Sequence, residues 1–407
     1  MSCQWTKSVK LSCIILLIVP FLTGCWDRLE IEERAVILGI SIDLAEPGAE
    51  KEEEEVSHLR GSFPTPEGAM IRVAAQIALP GRIPLGPGEG GGSSGGPGQT
   101  VWVVDVVGHS VDDALLNLQQ QISSKLFYGH LRVIVISEAL ARSGLQNVND
   151  ILRRNSEVRR TLWIIISKGN AKKIMTASPK LERVPSLYLL STLDNAVKLG
   201  KFPIDYVGLF WSNSSKKGQE GFLPYVEIMK EQNINLLGLA YFKDDKLVGT
   251  TKPFEIAGYM GIKGLNPAGY RGVVKTEEGA VMIVATHRKS KFEVRIENGR
   301  PHFKVYVQTE INLEEKITGQ LVVNEKTIKD IQNENKKSLK KSYERLIKQT
   351  QQKGSDIFGF GEYLRAKKPK YWDKEIGSAD RWQEAYMNVE IEVSVNTRVR
   401  RVGMKSK

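Results

Sequence analysis

The five histidines, His58, His109, His130, His287 and His302, are where a metal site or general acid–base chemistry would start. Their spacing supports neither. No HExxH, HxH or other close ligand spacing occurs, so sequence neighbours supply no zinc set. No G-x-S-x-G elbow marks a serine as nucleophile. Asp and Glu pairs are too common in this chain to signal glycoside chemistry without a cleft. His130, in Tyr128-Gly129-His130, stands at an expected helix-to-strand junction. A histidine there serves either catalysis or a hydrogen bond to loop backbone, and the second reading is the weightier. Arg153, Arg154, Glu157, Arg159 and Arg160 gather just before a strand. They would form an ion-pair network that positions a helix end, or a surface for a partner. None of these residues implies a cofactor, and the chain reads as non-enzymatic.

One residue does carry a defined chemistry. Cys25 follows a basic start with Lys7 and Lys10, an apolar run over residues 11–22, and Leu22-Thr23-Gly24. The run is shorter than the roughly 17–25 residues that span a bilayer. It has the layout of a secretory signal peptide, residues 1–24. Small residues directly before a cysteine resemble the lipobox of bacterial lipoproteins, in which the cysteine is lipidated and becomes the mature N-terminus. A signal cut elsewhere, with Cys25 free, and a retained anchor helix are the alternatives. Cys3 and Cys13 fall within the signal, which leaves Cys25 as the sole mature cysteine. An internal disulfide, a thiol enzyme and a cysteine metal cluster are therefore all excluded for the mature protein.

Export fixes how the charge is read. The formal charge is +11, and from residue 301 onward 22 Lys and Arg face 15 Asp and Glu. A basic face near anionic headgroups or an acidic partner is the simplest use. Nucleic acid is not expected, because no basic–aromatic binding motif accompanies the charge. The 383 residues after the signal exceed what one core usually accommodates, so several domains are expected.

The elements that would position these residues follow from periodicity. Residues 35–44 and 70–79 read as strands, and residues 50–55 as a solvated acidic loop. Residues 80–99 read as a flexible linker-like loop, and their glycines lack the GxxxxGK[ST] pattern of a phosphate loop. Strand 101–107, a helix capped by Ser110, strand 131–137, short helices near 138–142 and 148–155, and strand 161–167 alternate. Such alternation argues for βαβ-type layering in a first domain, residues 25–200. Residues 201–300 are expected as a strand-rich middle domain, with a hairpin at Lys243-Asp244-Asp245. Residues 301–407 are expected as a third, α+β domain, with a helix over 324–351 packed on an antiparallel sheet and a last strand over 386–395. The fold class is therefore α+β, a three-domain mixed α/β ectodomain.

With these landmarks placed, a family resemblance emerges. Cys25-Trp26-Asp27, then Glu30-Ile31 and the strand over 35–43, resemble the mature start of the Ger(x)C proteins, lipoprotein C subunits of spore germinant receptors. Gly129-His130, residues 132–138, Leu152-Arg153, Glu157 and Arg159 are similar to that family's first-domain signature. Gly221, Leu223-Pro224 and Gly238-Leu239-Ala240-Tyr241-Phe242 resemble its middle landmarks. Residues 356–361 and Trp382 stand in the expected order in the last domain. The Gly-rich segment 84–99 and the acidic run 50–55 depart from the pattern.

The resemblance implies three domains, no catalytic activity and no cofactor. It implies membrane partners, an A subunit with membrane helices and a transporter-like B subunit, and a lipid bilayer held through acylated Cys25. The expected place is the outer face of the inner spore membrane. It leaves open whether this subunit touches the germinant. The competing readings are a free-standing extracytoplasmic solute-binding lipoprotein and, behind it, an anchored hydrolase.

Overall fold

The apolar run Ala35-Val36-Ile37-Leu38, with β-branched Val36 and Ile37 at its centre, follows Arg34 in strand β1 (Arg34–Leu44), buried along almost its whole length. The structure, a computed structural model, describes residues 33–53, 56–57, 69–79, 100–177, 182, 184–229, 233–317 and 321–402. The expected signal 1–24, Cys25, Trp26, Asp27 and the segment 84–99 lie outside the described residues.

Around β1 a large mixed sheet is built. Its other strands are β2 (Ile71–Ala78), β3 (Val101–Gly108), β4 (Lys125–Phe127), β5 (Val133–Ser137), β6 (Trp163–Ser167), β7 (Phe222–Ile228), β8 (Ile234–Lys243) and β9 (Lys246–Thr250). They run in the order β3-β2-β1-β5-β6-β7-β8-β9, with β4 also paired to β1. The centre, β1-β5-β6-β7, is parallel, and both flanks are antiparallel hairpin extensions. The βαβ expectation describes that parallel centre.

The parallel strands are largely apolar and buried because both faces are covered, with Ser41, Asp43, Ser137 and Ser167 as buried polar exceptions. The helices that cover them are α1 (Val111–Gln121), α2 (Glu138–Ser143), α3 (Gln146–Arg154), α4 (Ala171–Met175), α5 (Pro185–Lys198), α6 (Val207–Ser214) and α7 (Pro253–Ile262). Ile134, Ile136, Ile164 and Ile166 face α1, α2, α3 and α6 in one core. Val133, Val135, Trp163 and Ile165 face α4, α5 and α7 in the other. Local chemistry sets the helix starts: Ser110 accepts a bond from Asp113 N at 3.2 Å, and Pro185 occupies a first helical position that needs no N–H donor.

A second sheet holds β10 (Arg271–Thr276), β11 (Gly279–Glu297), β12 (Arg300–Lys316) and β13 (Glu390–Arg401), in that order. Between β12 and β13 run α8 (Glu325–Gln351), α9 (Phe360–Lys367), a short α-to-π stretch 369–376, and α10 (Ala379–Tyr386). Three sequence expectations change here. First, the last sheet is not purely antiparallel. Strand β13 pairs parallel to β12, from His302↔Glu390 to Asn312↔Arg401, because the intervening helices return the chain to the start of β12. Second, the end of the region expected as a strand-rich middle domain, residues 279–297, is one 19-residue strand that belongs to this last sheet, bent by irregularities at Met282/Ile283 and Ala285/His287. Third, the last strand begins at Glu390, since Tyr386 still belongs to α10.

Residues 201–300, expected as a middle domain, have no sheet of their own. Their strands β7, β8 and β9 extend the first sheet, and β10 and β11 open the second. Strands this short gain more by adding to an existing edge than by forming an isolated hairpin. One core then runs between the sheets, joining Trp163, Phe222 and Tyr259 to Phe303, Val305, Tyr343 and Trp382.

The acidic run is also less solvated than its composition suggests. Glu52 pairs with Arg72 at 2.9 Å, and Glu53, its side chain only 2% exposed, meets His109 Nε2 at 3.2 Å.

Candidate functional site

The first-domain signature residues share one surface without forming a reactive centre. The backbone of Tyr128 donates to Glu157 Oε2 at 2.9 Å, and the Glu157 N–H donates to Asn155 Oδ1 at 2.9 Å. Glu157 thus pins the turn that leads into β5. A side chain at Gly129 would begin 2.4 Å from the Phe127 ring, which is why the turn carries glycine. His130 is exposed, with its ring at the edge of Phe127, 5.9 Å between centroids. The Arg34 guanidinium lies over the Phe127 ring, 4.6 Å from its centroid.

The arginines behind that turn divide their work. Arg153 sits over the Trp211 ring at 5.1 Å, and Trp211 Nε1 donates to Asn149 Oδ1 at 2.9 Å. Arg154 pairs with Asp150 at 2.8 Å on the exposed face of α3. Arg159 and Arg160 are exposed at the side chain and serve through their carbonyls, which accept from Leu162 N and Gly208 N. The expected single ion-pair network is therefore not assembled: Glu157 serves a backbone amide and Arg153 serves an aromatic ring.

Beside this turn a cleft of about 520 Å³ opens between α1 and α3. Its floor is Ile40, Ile42 and Ile134, and Asp112, Asp150 and Arg154 stand among its polar walls. On the far side of Leu152 and Val158 a second recess of about 360 Å³ is lined by Arg153, Arg160, Trp211 and Ser212. Burial, with Asp112 and Glu157 nearby, pushes the Tyr128 hydroxyl well above its ordinary range, so it stays protonated. The surface offers shape, charge and hydrogen bonds, and it pairs no nucleophile with a base. Among the described residues no group of three His, Cys, Asp or Glu side chains could hold a metal ion.

Gly221, Phe242, residues 356–361 and Trp382 meet at a buried joint between the two sheets, where Phe242 N donates to the Gly221 carbonyl at 3.1 Å. Asp356 Oδ1 accepts from Phe358 N at 3.1 Å and Gly359 N at 2.8 Å. Its Oδ2 accepts from Gly361 N at 2.9 Å and Trp382 Nε1 at 3.0 Å. Burial still raises this carboxyl to about 6, against those bonds. Next to it, Gln383 Nε2 donates to Glu220 Oε1 at 2.7 Å and to Asp244 Oδ1 at 2.8 Å, while Asp244 N donates to Glu220 Oε2 at 3.1 Å. Burial lifts the Glu220 carboxyl to about 7, with Asp244 and Asp356 adding to the rise.

Backbone ties complete the joint. Glu220 N donates to the Asp356 carbonyl at 2.9 Å, Glu362 N to the Gly218 carbonyl at 3.0 Å, and Ser355 Oγ to the Phe242 carbonyl. Lys263 Nζ donates to the Phe358 carbonyl at 2.7 Å, and burial lowers its pKa. A side chain at Gly361 would start 2.4 Å from Trp382 Nε1, so glycine permits the close approach. Gly221, Phe242, Gly361 and Trp382 are among the landmarks legible in the sequence, whereas Glu220, Lys263 and Gln383 carry no local signal of their role. The polar pair Gln219-Glu220 stands directly before an apolar strand, and pattern alone does not say what it meets.

Comparison with known proteins gives a consistent picture. A family model described as the spore germination protein N-terminal domain matches residues 27–228. A second, described as spore germination B3/GerAC like, C-terminal, matches residues 237–403. Spore germination protein KC of Bacillus subtilis is 25% identical, over 98% of this chain and 97% of its own. Spore germination protein B3 of the same organism is 24% identical, over 98% of this chain and 100% of its own. The crystal structure of the GerBC protein has the same fold, with a TM-score of 0.55 at 18% identity, covering 81% of this chain and 94% of that one.

Proposed function

This chain belongs to the Ger(x)C spore germination protein family, and from that premise we propose that it is the lipoprotein C subunit of a nutrient germinant receptor. In this reading it is non-enzymatic and is held to the outer face of the inner spore membrane by acylated Cys25. It supports assembly and signalling beside the A and B membrane subunits. The observation that carries the reading is the match of both family halves, in order, over nearly all of the chain that follows Cys25.

The geometry suits a scaffold. The joint at Glu220, Asp356 and Gln383 ties the two sheets together, so a load on one is felt by the other. The clefts flanking Leu152 and Val158 offer shaped, charged surface to a partner. Among the described residues no helix is long and apolar enough to cross a membrane.

The test is co-purification from spore membranes under conditions that preserve the complex. Recovery of a multi-span A subunit and a permease-like B subunit with this chain is expected. Their absence would overturn the reading.

A further inference from the structure

A cavity of about 300 Å³ lies between β10–β12 of the second sheet and the helices α7 and α8. Its walls are largely apolar, with Val274, Ile283, Ile311 and Leu339 along them, and Phe254 and Val273 exposed near its mouth. Arg288 of β11 also lines it, although this residue is only 3% exposed.

The arginine is held in place by its backbone. Asn266 clamps it from both sides, accepting from Arg288 N at 3.0 Å and donating to the Arg288 carbonyl at 2.9 Å. Its guanidinium is poorly matched. Nη1 makes a long 3.4 Å contact to the Ala257 carbonyl, and Nη2 has no hydrogen-bond partner among the described residues. The titratable groups that act on it are Tyr270 and Tyr343, whose own hydroxyls burial keeps protonated. A buried cation normally sits with an anion, because desolvation is otherwise uncompensated. The other arginine at this cavity, Arg271, already pairs with Glu314 through its Nε and Nη2.

We propose that this cavity binds a small monocarboxylate with a short hydrocarbon tail, its carboxylate on Arg288 and its tail against Val274, Ile283, Ile311 and Leu339. One uncompensated guanidinium balances one negative charge, which favours a monoanion over phosphate. The planar fork matches a carboxylate's two oxygens. The volume is at the small end of the ligand-cavity range. Nη2 is covered by its neighbours, so binding includes a turn of the guanidinium into the cavity, which gives up only the long contact to Ala257.

The test is calorimetric titration of the full chain in detergent with 4-methylpentanoate, with its neutral amide and with inorganic phosphate. Saturable binding of the carboxylate is expected, with the amide weaker by about tenfold or more, as for a lost charged hydrogen bond. Arg288→Gln should weaken the carboxylate by a similar factor. Leu339→Phe narrows the tail space and leaves the arginine in place, so it should also weaken binding. It keeps the test decisive if Arg288→Gln does not fold. No saturable binding of the carboxylate, equal affinity for the amide, stronger binding of phosphate, or full affinity in both variants would overturn the assignment.

Discussion

At the scale of residues, the polar groups of greatest consequence are buried carboxyls rather than the histidines. Glu220 shows how. Its ordinary carboxyl value is 4.5, and burial between Gln383 and Asp244 raises it to about 7. The folded state therefore holds this proton more tightly than the unfolded chain. Its contribution is complete below about pH 4.5 and is lost as the pH rises through about 7, on the order of 3 kcal/mol at most. Asp356, raised to about 6, acts in the same direction. Glu220→Gln cannot ionise, so its melting temperature should fall less between pH 5 and pH 8 than that of the parent protein. Equal slopes in a thermal melt series would remove Glu220 from the pH dependence. Cys25 is tested separately. Cys25→Ala should leave the far-UV dichroism unchanged, since no disulfide is lost, and should release the protein from membrane fractions under a mild salt wash. Full retention would show another anchor, because a single weak attachment is readily reversed.

At the scale of elements, α7 and α8 cross closely because α7 presents glycine to α8. A side chain at Gly258 would approach Leu346 to 3.3 Å, and one at Gly261 would stand 2.3 Å from Tyr343 Oη. Tyr343 and Leu346 are fully packed on the buried side of the 27-residue helix. Gly261→Ala should therefore force Tyr343 to move and destabilise the protein by about 1–3 kcal/mol, the usual range for overpacking. Chemical denaturation measures this, and an unchanged midpoint would mean that Tyr343 yields freely. The start of α8 is secured independently by Asn324, which accepts from Thr327 N at 2.9 Å. A loss in Gly261→Ala would thus report on the crossing and not on the cap.

At the scale of the whole molecule, the two sheets share a core and a polar joint. Trp163 of the first sheet and Phe303 of the second belong to one continuous buried cluster. Asp356→Ala removes the acceptor for three backbone amides and the Trp382 indole at once. A single calorimetric transition is expected for the parent, and this variant should lower it without splitting it. Two resolved transitions in the parent would show that the sheets unfold as independent units. For a protein proposed to relay a state between membrane partners, a joint of this kind makes the ectodomain respond as one body.

What the sequence by itself determined is local. β-branched runs marked β1, β5 and β6, Ser110 marked the start of α1, and the apolar stripe through Ile331, Tyr343 and Leu346 marked α8. These signals act within a few residues, through backbone preference and side-chain period. The landmark fragments were also legible one by one. Only the tertiary structure decided that Gly221, Phe242, Asp356 and Trp382 meet at one joint, and that Glu220 and Gln383 complete it. It also decided that β13 runs parallel to β12, and that residues 201–300 divide between two sheets. Strand pairing and the burial of a charge depend on partners far along the chain, as His302 with Glu390 in β12 and β13, and Glu220 with Gln383, which lie 163 residues apart. No local period encodes them, because the free energy that selects them comes from desolvation and contact at a distance in the chain.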